Sequence, residues 1–195
     1  MKVYRNVREL FFDLVDEFEK KLKISLSEYS KIYLMKLLEQ LAEGNDYFYT
    51  AVMEDKSLAE TLMESVHKNI FEKIRNLKAL GDLCLIFGGL YPEFMTKKLV
   101  DIDYFINIGK NSYNLISDTY KNNTSQYDLY MLYNKLTEEY LKLINILTEI
   151  SDELNFLDRD NLYKSFKRWK KTGIKKYSEV LKCNNIIPIN YKNNN

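Results

Sequence analysis

The sequence predicts an all-α fold: a single domain of seven or eight mostly antiparallel helices. Three observations predict it. Six glycines and two prolines among 195 residues are too few for the turns of a strand-rich protein. Apolar residues make up 46% of the chain and aromatic residues 14%, enough for a sizeable core and too much for a disordered polymer. Those apolar residues recur at three- and four-residue spacing along most of the chain, the period of a helix face.

The first stripe runs through Val3, Val7, Leu10, Phe11, Leu14, Val15, Phe18 and Leu22. Ser25 followed by Glu28 reads as a capping box opening a second helix, with Tyr29, Ile32, Tyr33, Leu37, Leu38 and Leu41 on its apolar face and Gly44-Asn45 closing it. A short aromatic turn is expected over 46–54. Ser57 with Glu60 is a second capping box, before Leu58, Leu62, Val66, Ile70, Ile74, Leu77 and Leu80. A helix from there to Gly88 would have 31 residues and measure about 46 Å at 1.5 Å per residue, so a kink is expected at Gly81. Gly88-Gly89 and Pro92 are stop signals, with a short helix expected over 93–99.

Asp101 or Asp103 can cap a helix bearing Tyr104, Phe105, Ile108, Tyr113 and Ile116, broken at Asn122-Asn123. Ser125 with Asp128 reads as a third capping box, before one long stripe from Leu129 through Leu132, Tyr133, Leu136, Tyr140, Leu143, Ile144 and Leu147 to Ile150. Asp158 or Asp160 starts a helix with Leu162, Tyr163, Phe166 and Trp169 inside, and Tyr177, Val180 and Leu181 mark a last one. The expected organisation is one helical domain over 1–185, with 186–195 an extended or disordered tail. No internal repeat is visible, and the short loops favour antiparallel neighbours.

Charge and cysteine usage narrow the function classes. Twenty-nine basic and 28 acidic residues leave a formal net charge of +1, which argues against a dedicated binder of nucleic acid or anionic membrane. The N-terminal stretch is interrupted by Asp13, Asp16 and Glu17, unlike a signal peptide, and the apolar run between Asp82 and Glu93 is shorter than the roughly 20 residues that span a bilayer. Cys84 and Cys183 make no disulfide framework, and Cys84 reads as a small buried hydrophobe, so a cytoplasmic location is expected.

Several segments taken together resemble a family of bacterial all-helical proteins. They are Leu80-Gly81-Asp82 through Phe87-Gly88-Gly89 to Pro92-Glu93, then Lys98-Leu99-Val100-Asp101-Ile102-Asp103-Tyr104-Phe105 with Gly109 and Tyr113. Arg8-Glu9-Leu10-Phe11, Tyr33-Leu34 and the later Tyr163, Trp169 and Thr172-Gly173 fit the same pattern, whereas Phe94 stands where some members carry small or polar residues. The resemblance implies a helical protein and carries no activity with it.

Three constellations hold polar chemistry. Glu64 and His67 form a Glu-x-x-His pair, as in carboxylate-bridged di-iron bundles, but such a site needs a second pair and His67 is the single histidine of the chain. The same shortage weakens any scheme with a histidine base. Residues 163–176 carry seven basic and three aromatic side chains, which could track single-stranded nucleic acid. The simpler account buries Phe166 and Trp169 and puts Lys170 and Lys171 at a helix C-terminus.

The third is the candidate site: Asp82, Glu93, Lys97, Lys98, Asp101, Asp103, Tyr104 and Tyr113. Asp82 falls among Leu80, Leu83, Cys84 and Phe87, where a carboxylate is costly unless paired. It is expected to be buried, with Lys97, Lys98 or a tyrosine of the 104–113 helix as donor. The set is either a polar pocket with acid–base capacity or a structural pairing in which Asp101 caps a helix. The resulting expectation is a binding module for a protein partner or small ligand, with no catalytic or metal-ligating residue, no nucleic acid or membrane as partner, self-association open and cofactors unassigned. The alternative is an enzyme or cofactor binder using the 81–113 carboxylates and tyrosines.

Overall fold

The computed structural model describes residues 7–42, 57–91 and 102–153. Among the described residues there are seven α-helices, one 3₁₀ turn and no strand, packed as one all-α domain. The expectations for 43–56, 92–101 and the whole chain beyond Glu153 lie outside the described residues, including the helix of 163–176 and the tail.

Helix α1 (Val7–Leu22) buries Phe11, Leu14, Val15 and Phe18. It stops at Lys23, whose φ of 53° turns the chain left-handed, and the Ile24 N–H closes back on the Glu19 carbonyl at 3.0 Å. Helix α2 (Glu28–Ala42) is capped by Ser27 and not by Ser25: the Ser27 hydroxyl accepts from the Ser30 N–H at 3.3 Å. Leu37 and Leu38 face inward as expected and Leu34, not assigned to that face, joins them, while Tyr29 and Ile32 are exposed.

Helix α3 (Leu58–Val66) begins with the Ser57–Glu60 capping box, both of its hydrogen bonds formed. The long helix then breaks at 67–69 rather than kinking at Gly81. Asn69 caps the new start, its side chain accepting from the Glu72 N–H. Helix α4 (Ile70–Leu90) runs unbroken through Gly81 and through Gly88-Gly89. These glycines are contact points, and the helix ends at Leu90, one residue past Gly89, close to the expected stop. A Cβ on Gly81 would lie 2.5 Å from the Tyr113 ring, one on Gly88 would lie 2.8 Å from the Ile144 side chain, and one on Gly89 would strike Leu147. The loss in helix propensity, about 1 kcal/mol per glycine, is offset by closer packing around the central helix.

Helix α5 (Ile102–Tyr120) packs along α4, followed by a 3₁₀ turn (Thr124–Gln126). Asn123 caps that turn by accepting from the Ser125 N–H, so the expected box of Ser125 with Asp128 does not form. The long stripe ending at Ile150 is divided at Glu139 into α6 (Tyr127–Glu138) and α7 (Tyr140–Glu153). Helix α7 lies against α4 and α1, and α6 against α5 and α2. From residue 77 to 90 nearly every side chain of α4 is buried, which makes it the core of the fold. Each leucine so buried contributes about 1.5–3 kcal/mol of transfer free energy.

Candidate functional site

Asp82 lies on α4 with no exposed surface. Three elements deliver donors to its carboxylate. From α2, the Tyr33 hydroxyl donates to Oδ1 at 2.5 Å; from α5, the Tyr113 hydroxyl donates to the same oxygen at 2.6 Å. One turn earlier on α4, the Lys78 ammonium donates to Oδ2 at 2.5 Å. The Lys78 stem reaches along the helix from a partly exposed position, and its ammonium also sits 5.3 Å from the Tyr33 ring centroid.

Aromatic rings close the surroundings. The Tyr33 and Tyr113 rings meet edge to face at 6.0 Å, Tyr133 of α6 packs on both, and Tyr140 of α7 lies 5.8 Å from Tyr113. The Tyr140 hydroxyl donates to the Gly81 carbonyl at 3.4 Å. Gly81 is bare so that Tyr113 can lie across it, and Gly109 is bare so that the Tyr140 hydroxyl can fit beside Cys84.

The electrostatics keep these phenols protonated. Burial, and then the Asp82 charge, push the Tyr33 and Tyr113 hydroxyls well above the ordinary tyrosine value. Burial does the same to Tyr140, and it pushes the Cys84 thiol up. A neutral phenol is a donor, which is what a buried carboxylate needs. Tyr33, Tyr113 and Lys78 donate to Asp82; the Tyr113, Tyr133 and Tyr140 rings around it are buried, and Tyr33 and Lys78 are partly exposed. The arrangement fastens α2, α4 and α5 to one another.

Of the eight residues singled out from sequence, Asp82 and Tyr113 come together. Tyr104 does not join them: its hydroxyl accepts from the Ala59 N–H at 3.0 Å, satisfying one of the open donors at the start of α3. Asp103 is exposed in the first turn of α5. Glu93, Lys97, Lys98 and Asp101 lie outside the described residues. Sequence reasoning missed Tyr33 and Lys78. Lys78 could have been found, since it stands four residues before Asp82 on the same helix. Tyr33 was legible as a ring on the apolar face of α2 whose hydroxyl needs a partner, but nothing local names the partner.

Glu64 and His67 are both exposed, and the His67 N–H closes the end of α3 on the Glu64 carbonyl at 3.2 Å. Among the described residues no group of three or more His, Cys, Asp or Glu side chains could hold a metal ion. Likewise none of the described helices is long and apolar enough to cross a membrane. The corner between α1 and α2 carries an open depression of about 450 Å³. There Lys31 bridges Asp16 at 2.8 Å and Glu19 at 2.6 Å.

A TPR repeat-containing protein of Methanocaldococcus jannaschii is 37% identical to this chain over 84 residues, 43% of the chain and 25% of that protein. The chain thus spans a quarter of the length of the curated relative it matches. No family model and no solved structure matches the chain.

Proposed function

We propose that this chain is a helical module that binds another protein through its outer surface. The observation that carries the reading is the closure of the Asp82 cluster. The best candidate for chemistry in the sequence is a carboxylate with no exposed surface, and a neutral phenol on either side of it has no substrate to meet. Chemistry needs a concave site that admits a reactant. The partial likeness to a TPR repeat-containing protein supports the same direction, because repeats of that kind stack helix pairs into extended binding surfaces.

The test is reconstitution. A protein captured by the chain from its native host is purified separately and titrated calorimetrically into the purified chain. The expected result is a stoichiometric complex with a negative heat-capacity change, the mark of buried apolar surface. Thermal stabilisation by a small metabolite that Asp82→Asn abolishes, with no protein complex reconstituted, would overturn the proposal.

A further inference from the structure

Phe71 is 84% exposed, the most of any large apolar side chain among the described residues. It stands with Ile70, 53% exposed, in the first turn of α4, and Val66, 38% exposed, ends α3 on the other side of the turn at 67–69. Val66 and Ile70 belong to the stripe that the sequence assigns to the core, and the break at 67–69 turns them out. Burying a phenylalanine is ordinarily favourable, so a corner that leaves one in water marks a surface for something else to cover.

A second turn stands at the same end of the bundle. Tyr113 lies against Gly81 and Gly109 against Cys84, so α4 and α5 run antiparallel. Phe71 lies ten positions before Gly81 and Asn123 ten positions after Tyr113, which puts the 121–126 turn level with the corner. That turn leads into Tyr127, 58% exposed at the start of α6. Each turn carries one lysine, Lys68 and Lys121. Both are exposed, and neither ammonium has a hydrogen bond or ion pair among the described residues. Residues 66–71 and 120–127 contain no carboxylate. Behind them Glu72 is partly buried in the first turn of α4, Asp128 accepts from the Tyr29 hydroxyl at 3.2 Å, and Glu60 and Glu64 are engaged within the chain. The net charge of +1 thus conceals an end of the bundle that is both apolar and basic.

We propose that this end of the bundle docks on an anionic lipid surface. Phe71, Ile70 and Val66 enter between the headgroups, and Lys68 and Lys121 lie on the lipid phosphates. The apolar side chains project from turns and do not line a groove. A protein partner would need a pocket shaped to Phe71, whereas a fluid lipid surface accepts any projecting apolar side chain. Apolar anchors beside cations supply the two signals that together hold a protein on a membrane. Tyr127 suits the rim of such a contact, with an apolar body and a polar tip. The inference goes beyond the proposed binding of a different protein and does not depend on it.

Flotation of the full chain with lipid vesicles tests the contact. One set of vesicles is phosphatidylcholine alone, and the other is phosphatidylcholine and phosphatidylglycerol in equal parts. The wild type is expected to float with the mixed vesicles and more weakly with phosphatidylcholine. Phe71→Ser is expected to weaken binding to the mixed vesicles about tenfold or more. Its melting temperature should not change, because the side chain is 84% exposed. Lys68→Ser combined with Lys121→Ser should also weaken that binding about tenfold or more, and should leave binding to phosphatidylcholine unchanged. A wild type that floats with neither vesicle would overturn the proposal. So would binding that survives either set of substitutions, since the lipid contact would then lie elsewhere on the chain. A chain that ignores vesicles and still binds a different protein would overturn this inference and leave the proposed function standing. If Phe71→Ser then breaks that complex, the corner is a protein contact.

Discussion

Tyr33 on α2 and Asp82 on α4 stand 49 positions apart and meet at 2.5 Å, phenol to carboxylate. The contact explains why an acidic residue is tolerated in the most buried helix of the fold. A carboxylate moved from water into an apolar interior costs several kcal/mol after relaxation, a loss offset only when nearly all its acceptor positions are filled. Tyr33, Tyr113 and Lys78 fill three of them from three directions. The two phenol hydrogen bonds also tie helices together, so the same geometry that removes the penalty sets the register of α2 and α5 on α4.

Breaking that cluster should be costly in a graded way. Tyr33→Phe and Tyr113→Phe each delete a hydrogen bond to a charged acceptor, about 1.5–3 kcal/mol. Asp82→Asn keeps an acceptor and should cost modestly. Asp82→Leu leaves Lys78, the partly buried Tyr33 and the buried Tyr113 without this acceptor, a loss of about 3–5 kcal/mol. Urea denaturation midpoints measure the series, and an Asp82→Leu variant as stable as wild type would contradict the role assigned to the cluster.

Gly109 tests the close approach of α5 and α7. Helix propensity alone favours alanine there by about 1 kcal/mol. A Cβ at this position would collide with the Tyr140 hydroxyl and lie 2.8 Å from the Cys84 Cβ, and overpacking of that sort costs about 1–3 kcal/mol. Gly109→Ala should therefore destabilise. In a Tyr140→Phe background, where the oxygen it meets first is gone, the same change should cost less. A double-mutant cycle by thermal denaturation reads the coupling, and additive effects would show that the two helices do not meet as described.

The parts of this fold that were legible in the sequence are those with local causes. The Ser57–Glu60 cap is written within four residues, and it forms. The inward faces of α1, α5 and α7 follow from spacing alone. The errors arise where a distant element decides. Gly81 looks like a hinge, yet the helix runs through it, and Gly81, Gly88 and Gly89 are the places where Tyr113, Ile144 and Leu147 press on α4. Asp82 was legible as a buried acid with a tyrosine partner because its neighbours are apolar. That the second tyrosine is Tyr33 depends on how α2 docks, which no local pattern encodes. The division of the last stripe at Glu139 has no glycine or proline to announce it.

Cys84 should behave as an inert thiol. It is fully buried, and burial pushes its pKa up, so the nucleophilic thiolate is scarce and out of reach. Modification by a soluble alkylating reagent should follow opening of the core and not the reactivity of a free thiol. Mass spectrometry after timed labelling should find Cys84 unmodified in native buffer and modified in urea. Labelling of Cys84 in native buffer at the rate of a free thiol would mean that the α4–α5 seam opens readily.

Glu139 gives the fold a predictable response to acid. Both of its carboxylate oxygens accept from the Ser27 N–H, at 3.1 and 3.0 Å, and Oε2 also accepts from the Ser27 hydroxyl at 2.9 Å. A residue at the α6–α7 division thereby places a negative charge at the N-terminus of α2, where open N–H groups and the helix dipole favour it. Burial acts to raise its pKa, but the hydrogen bonds from Ser27 and Ser30 and the nearby Lys142 charge together outweigh that, and the net result is a carboxyl held below the ordinary value of 4.5. The folded state thus binds this proton less readily than the unfolded chain does. The linked stability is fully present above the ordinary carboxylate value and is lost as the pH falls through the lower, folded one. Glu139→Gln should cost about 1 kcal/mol near neutral pH, the size of a helix-cap contribution. The gap between the variant and wild type should narrow progressively as the pH drops below 4.5. Denaturation midpoints for both proteins across acid and neutral pH measure this, and a gap that stays constant or widens in acid would show that the charge on Glu139 does not stabilise α2.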